Sequence, residues 1–196
     1  MWSDLDNSDE SWVERARSDR DAFAELVRRY ADKIFNLAYR MTGDRAEAED
    51  LAQETFIRAY RGLPGFKPGH PFGAWLYRIA VNVCLSQRRH ASNGMVESLD
   101  ADEESFGAIA DSAVSIADLA ERHEIQARVQ QAILTLPPMY RAVVILYHLE
   151  GRSYSEIADM LGLPLNTVRT HLHRGRALLR ETLATGDGVQ TRGHGV

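Results

Sequence analysis

The chain has almost no cysteine and no long apolar run. Cys84 is the single cysteine among 196 residues, so no internal disulfide can form. One thiol cannot build a zinc-thiolate cluster, and within IAVNVC it reads as a buried structural thiol in a reducing setting. No stretch of about eighteen apolar residues occurs, which argues against a membrane span. The first residues, MWSDLDNSDES, are acidic and lack the apolar segment of a secretory signal. There is no HExxH pattern and no paired acid cluster of a metal-dependent hydrolase. Positive charge is also missing from one whole stretch: residues 91–121 hold eight acids and no lysine or arginine.

What is present is ordinary in bulk and uneven in placement. Hydrophobic residues make up 44% and charged residues 26%, at a formal net charge of −5. Residues 1–90 balance at fourteen bases and fourteen acids, and residues 122–196 carry nine bases and six acids. The acidity therefore sits in the middle, and the flanks remain open to nucleic acid. The sharpest local feature is RTHLHRGR, residues 169–176, with three arginines, two histidines and no acid before Glu181.

Helical periodicity dominates and no alternating strand is convincing. Phe23, Leu26, Val27, Tyr30, Ile34, Leu37, Ala38 and Met41 mark one helix face, which Thr42-Gly43 stops. Asp44 and Glu47 suit the start of the next helix, with Leu51, Ala52, Thr55, Phe56, Ala59, Tyr60 and Leu63 turned inward. The run PGFKPGHP reads as a loop. A third helix over about 72–89 turns Trp75, Leu76, Ile79, Ala80 and Val83 to a core and ends in Arg88-Arg89-His90. Residues 1–17 read as an N-terminal tail, 18–92 as one helical domain and 93–121 as an acidic linker. Residues 122–184 read as a second helical domain and 185–196 as a frayed tail. In that second domain Ile125, Val129, Ala132, Ile133 and Leu136 mark a helix that Pro137-Pro138 breaks, and Met139 to Leu149 resumes.

Ser153 and Glu156 fit a capping box before a short helix, Gly162-Leu163-Pro164 a tight turn, and Leu165 to about Leu183 a longer helix. On the longer helix Val168, Leu172, Gly175 and Leu179 form one stripe and Arg169, His173, Arg176 and Arg180 the adjoining one. One side can pack while the other stays cationic, as a major-groove recognition helix requires. Asn166, Arg169, Thr170 and His173 are the candidates for base edges, and Arg174, Arg176 and Arg180 for phosphates. His171 and His173 point about 200° apart on a helix and do not share a metal ion. In FGAWLYRIAVNVCLSQRR, Trp75 reads first as core packing and second as a platform for an unpaired base. Asn82 could cap a local bend or read an extruded base. The charged face of DLAQETFIRAYRGL reads as solvated, with partner docking as the alternative.

Three segments in this order, DLAQETFIRAYRGL, FGAWLYRIAVNVC and LPPMYRAVVILYHLEGRSYSEIADMLGLPLNTVRTHLHRGRALLR, resemble the extracytoplasmic-function sigma factors of bacterial RNA polymerase. The resemblance implies an all-α protein of two small helical domains, σ2 and σ4, joined by a linker that threads the polymerase channel. It implies a promoter-specificity subunit that has no catalysis or cofactor of its own and recognises −35 and −10 elements. Asp50, Leu51, Gln53, Glu54, Phe56 and Arg58 would dock on the β′ clamp helices of core polymerase. Asn82 would help hold a flipped −10 base, supported by Tyr77, Arg78 and the preceding loop, with Trp75, Arg88 and Arg89 on the same element. Thr170, His173 and Arg174 match the family's principal −35 contacts, with Asn166, Thr167, Arg169, Arg176 and Arg180 expected beside them on the same helix, while σ4 holds the β flap. The expected partners are core polymerase, promoter DNA and an anti-sigma factor, with the free chain monomeric in the cytoplasm. The competing readings are a dimeric helix-turn-helix regulator and a metal-dependent hydrolase using His70, His90, His171 or His173.

Overall fold

The computed structural model describes the backbone of residues 3–67, 69–93 and 116–187, with side chains over 9–67, 69–87 and 122–185. Among these residues there are eight α-helices and no strand. They are α1 Ser3–Ala16, α2 Arg20–Thr42, α3 Arg45–Gly62, α4 Phe72–Asn93, α5 Ile116–Thr135, α6 Pro138–His148, α7 Tyr154–Leu161 and α8 Leu165–Asp187. A single 3₁₀ turn, Leu63–Gly65, follows α3. Helices α1–α4 make one bundle and α5–α8 a second, and α4 packs on α7 while α2 packs on α5 and α6.

Local chemistry sets the helix ends. The Asp19 carboxylate accepts from the Asp21 backbone N–H at 2.9 Å, and Asp44 accepts from Glu47 N–H at 2.7 Å. Each satisfies a donor that the first helical turn leaves orphaned. Gly43, at φ 83°, takes the left-handed conformation that closes α2. The inner faces follow the three-to-four spacing: Leu26, Tyr30, Ile34, Leu37 and Met41 of α2 are fully buried, as are Leu76, Ala80 and Val83 of α4.

Three elements differ from the sequence-based expectation. Residues 3–16, read as tail, form a helix that packs on α2 and α4. Its anchor is polar: the buried Asp9 carboxylate accepts from Tyr30 Oη at 2.5 Å and from Arg29 Nη1 at 3.1 Å. Helix α5 starts at Ile116, earlier than the expected 122. Ile125 and Val129, expected inside, stay exposed because α5 reaches the core only near its C-terminus, through Ala132 and Ile133, with Leu136 of the following corner. Tyr60, also expected inside, keeps 41% exposure and meets the core only edge-on to Phe23, at 5.0 Å between ring centres. The linker reading for 94–115 and the tail reading for 188–196 lie outside the described residues.

Arg141 has no counterpart in the sequence-based expectation. It is buried in α6 and donates from Nε to Ile133 O and from Nη2 to Leu136 O, each at 3.1 Å. It also donates to Leu134 O and, across 100 positions, to Met41 O. All four carbonyls belong to helix C-termini or the corner after one, where partial negative charge collects. A buried cation is tolerated there because it meets the partial negative charge of these carbonyls with four donated hydrogen bonds.

Candidate nucleic-acid interface

The α7–turn–α8 unit is built from its caps outward. The Ser153 and Glu156 side chains and backbones satisfy one another reciprocally at the start of α7. Gly162, at φ 64°, ends α7 in the left-handed region and turns the chain towards α8. Val168 and Leu172 are buried, and Leu179 is partly buried against the same core. Gly175 lies where α8 meets α6: a Cβ there would sit 2.7 Å from Val144 Cγ2. Absence of a side chain lets the two helices approach closely.

Away from this buried stripe α8 is cationic and open. Asn166, Arg169, Thr170, His173, Arg174 and Arg180 are exposed, while Thr167 and Arg176 are half-buried. Thr170 Oγ1 donates to Asn166 O at 2.9 Å, so its hydroxyl proton stays within the helix and its methyl is left for outward contact. Arg174 Nη1 donates to Tyr140 Oη at 3.3 Å. Arg176 Nε donates to His148 Nε2 at 2.9 Å, and its guanidinium lies 5.0 Å from the Tyr147 ring centre. Burial and the neighbouring Arg176 charge both push the His148 imidazole below its ordinary pKa. Burial, then Arg174, does the same to His171, whose ring lies 5.0 Å from that of Tyr140.

On α4 the candidate residues separate. Asn82 is exposed between buried Val81 and Val83, in the middle of an unbroken helix. Its amide has no hydrogen-bond partner among the described residues. Arg78 is exposed as well. Trp75 is half-buried in an aromatic cluster, with Phe66 at 4.9 Å and Phe72 at 5.7 Å between ring centres. Tyr77 is fully buried, and its hydroxyl donates to Glu150 Oε2 at 2.5 Å while Arg152 lies over its ring at 5.2 Å. Burial first, and the Glu150 carboxylate second, raise the Tyr77 pKa well above the ordinary phenol range. Arg88 and Arg89 fall in the last turns of α4, where side chains lie outside the described residues. The preceding loop is tied to the turn after α1 by Arg17 Nη2, which donates to Phe66 O at 2.7 Å.

The α3 surface divides in the same way. Asp50, Gln53 and Arg58 are exposed, Glu54 and Phe56 half-buried, and Leu51 buried. Glu54 and Arg58 form an i,i+4 ion pair at 2.6 Å. Ile57, a large aliphatic side chain exposed to 44%, stands on this same face, which the sequence reading missed. Its signal was available: it is a large aliphatic side chain out of register with the inward positions.

A helix-turn-helix with a cationic row, an exposed amide on a second helix that has no partner among the described residues, and a mixed face on a third coincide with two family matches. Residues 26–93 match sigma-70 region 2, and residues 126–179 match sigma-70 region 4. The ECF RNA polymerase sigma factor SigW of Bacillus subtilis is 40% identical over 171 residues, covering 85% of this chain and 91% of that relative. The chain belongs to the ECF sigma factors of RNA polymerase. Another relative in this family, SigE of Mycolicibacterium smegmatis, is 42% identical over 82% of this chain and 61% of its own longer length. The solved structure of CnrH in complex with the cytosolic domain of CnrY superposes with a TM-score of 0.67 at 27% identity. It covers 90% of this chain and 97% of that one. The two-bundle, all-helical architecture expected of an ECF sigma factor is thus the observed one, and no described helix is long and apolar enough to cross a membrane.

Proposed function

We propose that this sigma factor binds core RNA polymerase and directs initiation at promoters by reading a −35 element with α8 and a −10 element with α4. The observation that carries the reading is the division of α8: Val168 and Leu172 are buried while Arg169, Thr170, His173 and Arg174 stand exposed on the adjoining side. A buried stripe fixes the helix, and the free cationic stripe meets a polyanion. In this assignment Asn166, Thr167, Arg169, Thr170 and His173 face base edges, and Arg174, Arg176 and Arg180 face phosphates.

Helices α1–α4 form the σ2 unit and α5–α8 the σ4 unit, and residues 94–115 connect them. Asn82, with its unpartnered amide, captures the extruded −10 base, and Arg78, Arg88 and Arg89 hold the backbone around it. Trp75 and Tyr77 support that site from the packed side of α4. Asp50, Gln53, Glu54, Ile57 and Arg58 make the clamp-helix contact, with Leu51 and Phe56 fixing α3 beneath it. The chain forms no bonds in substrate; polymerase does the chemistry. It works in the cytoplasm, and an anti-sigma factor holds it in check; the likeness to CnrH, solved in complex with the cytosolic domain of CnrY, supports control by a bound protein partner.

The test is transcription by core polymerase plus this chain on promoter fragments recovered from sheared genomic DNA. Asn82→Ala is expected to leave initial binding intact and to reduce permanganate reactivity of the opened −10 strand. Arg169→Ala is expected to weaken promoter binding before opening. No association of the purified chain with core enzyme would end the proposal.

A further inference from the structure

We propose that His148 is a positioning residue, holding the Arg176 guanidinium so that its outer edge takes a DNA phosphate. This rests on the reading of α8 as the −35 helix and adds a residue from α6 to that interface.

Arginine presents five N–H donors in one plane. At Arg176 one of them, Nε–H, is taken by His148 Nε2 at 2.9 Å. One face of the plane is covered by Tyr147, whose ring centre lies 5.0 Å away. The two Nη groups have no partner among the described residues. They form the edge that matches two oxygens of a phosphate.

The hold is itself braced. His148 and Tyr147 meet edge to face at 4.9 Å, and Tyr147 stacks on Tyr154 of α7 at 5.1 Å and 15°. One row of rings therefore links α7, α6 and the α8 arginine. Gly175 makes the reach possible, since α6 approaches to within 2.7 Å of where its Cβ would be. Arg169 and Arg180, in the same cationic row, have no comparable hold among the described residues. A side chain ordered before DNA arrives loses less rotamer freedom on binding than a free one. His148 contributes through direction, without adding charge of its own when neutral.

The experiment uses the full chain with core polymerase, on a promoter duplex recovered by that holoenzyme, at pH 8 over a range of salt. Arg176→Ala is expected to reduce the slope of log affinity against log salt by about one. His148→Ala is expected to weaken binding about threefold to tenfold, and His148→Gln, which keeps an acceptor, to restore most of it. In an Arg176→Ala background, His148→Ala should change nothing more. His148→Phe keeps a ring against Tyr147 and removes the acceptor, so it tests the bond if alanine unfolds σ4. Equal losses from the His148 change with and without Arg176 would overturn the inference, leaving a merely structural clip. So would an Arg176→Ala holoenzyme with unchanged slope while Arg169→Ala weakens binding. If neither Arg169→Ala nor Arg176→Ala alters affinity or slope, the reading of α8 itself fails.

Discussion

Tyr77 and Glu150 lie 73 positions apart and share a hydrogen bond of 2.5 Å that joins the α4 helix to the corner between α6 and α7. The phenol is fully buried and donates to a carboxylate, so this is a charge-assisted bond. Around it Arg152 covers the ring, and a Cβ at Gly162 would come within 3.2 Å of Arg78 Nη2. The segment assigned to the −10 element thus packs against the helix-turn-helix.

Tyr77→Phe keeps the ring and deletes the donor. It is expected to cost about 1.5–3 kcal/mol, the range for hydrogen bonds to charged groups. Denaturant midpoints measure the loss, and faster amide exchange in α7 than in α2 should locate it. An unchanged midpoint would show that Glu150 finds an equal partner elsewhere.

Arg141→Met removes the one cation that serves four carbonyls, those of Met41, Ile133, Leu134 and Leu136. Methionine fills the space but takes four donated hydrogen bonds away from these carbonyls, of which Ile133 O keeps the Leu136 N–H at 3.2 Å. The expected cost is about 3–5 kcal/mol. Calorimetry checks it. A neutral outcome would mean that water reaches the corner between α5 and α6.

Gly175→Ala pits two effects against each other. Helix propensity favours alanine by about 1 kcal/mol. The new methyl, however, would lie 2.7 Å from Val144 Cγ2 and 3.6 Å from the Tyr140 carbonyl oxygen. Overpacking of this kind costs about 1–3 kcal/mol, so a net loss of stability is expected. Val144→Ala in the same chain should recover much of it, which a thermal melt of the four variants can measure.

Stability is expected to fall as pH drops below about 6.5. Both His148 and His171 are held below their ordinary pKa in the folded chain, by burial first and a neighbouring arginine second. The unfolded chain therefore binds more protons in the window from about 6.5 down to those lowered values. The histidine contribution is complete above that window and is lost within it. Melting temperatures from pH 8 to pH 5.5 test this, and a His148→Gln, His171→Gln chain should show a flatter profile.

The recognition unit was legible because its signals are local. The Ser153–Glu156 box, the Gly162 turn and the two stripes of α8 each span a few residues, and short-range geometry decides them. Gly43 and the Asp44 cap were legible for the same reason. Helix α1 was not, because its anchor is an acid: Asp9 is buried only by virtue of Tyr30 and Arg29, some twenty positions away. Period alone also cannot say whether a face has a neighbour, which is why Ile125, Val129 and Tyr60 look internal in the sequence and stand exposed. Arg141 and Tyr77 were illegible in the strongest sense. Their partners lie 100 and 73 positions away, and nothing in MYRAVV or WLYRIA announces them.

Cys84 is buried in the α1–α4 core, and burial first, with the Glu47 charge behind it, lifts its thiol pKa to about 12. At neutral pH it is almost wholly un-ionised and shielded, so alkylation must wait for the bundle around it to part. Because no second cysteine exists to confuse the signal, the rate of labelling by a thiol reagent becomes a built-in clock for σ2 opening. Run with and without core polymerase or a bound inhibitor, that clock reads how tightly each partner clasps the first bundle, with no engineered probe.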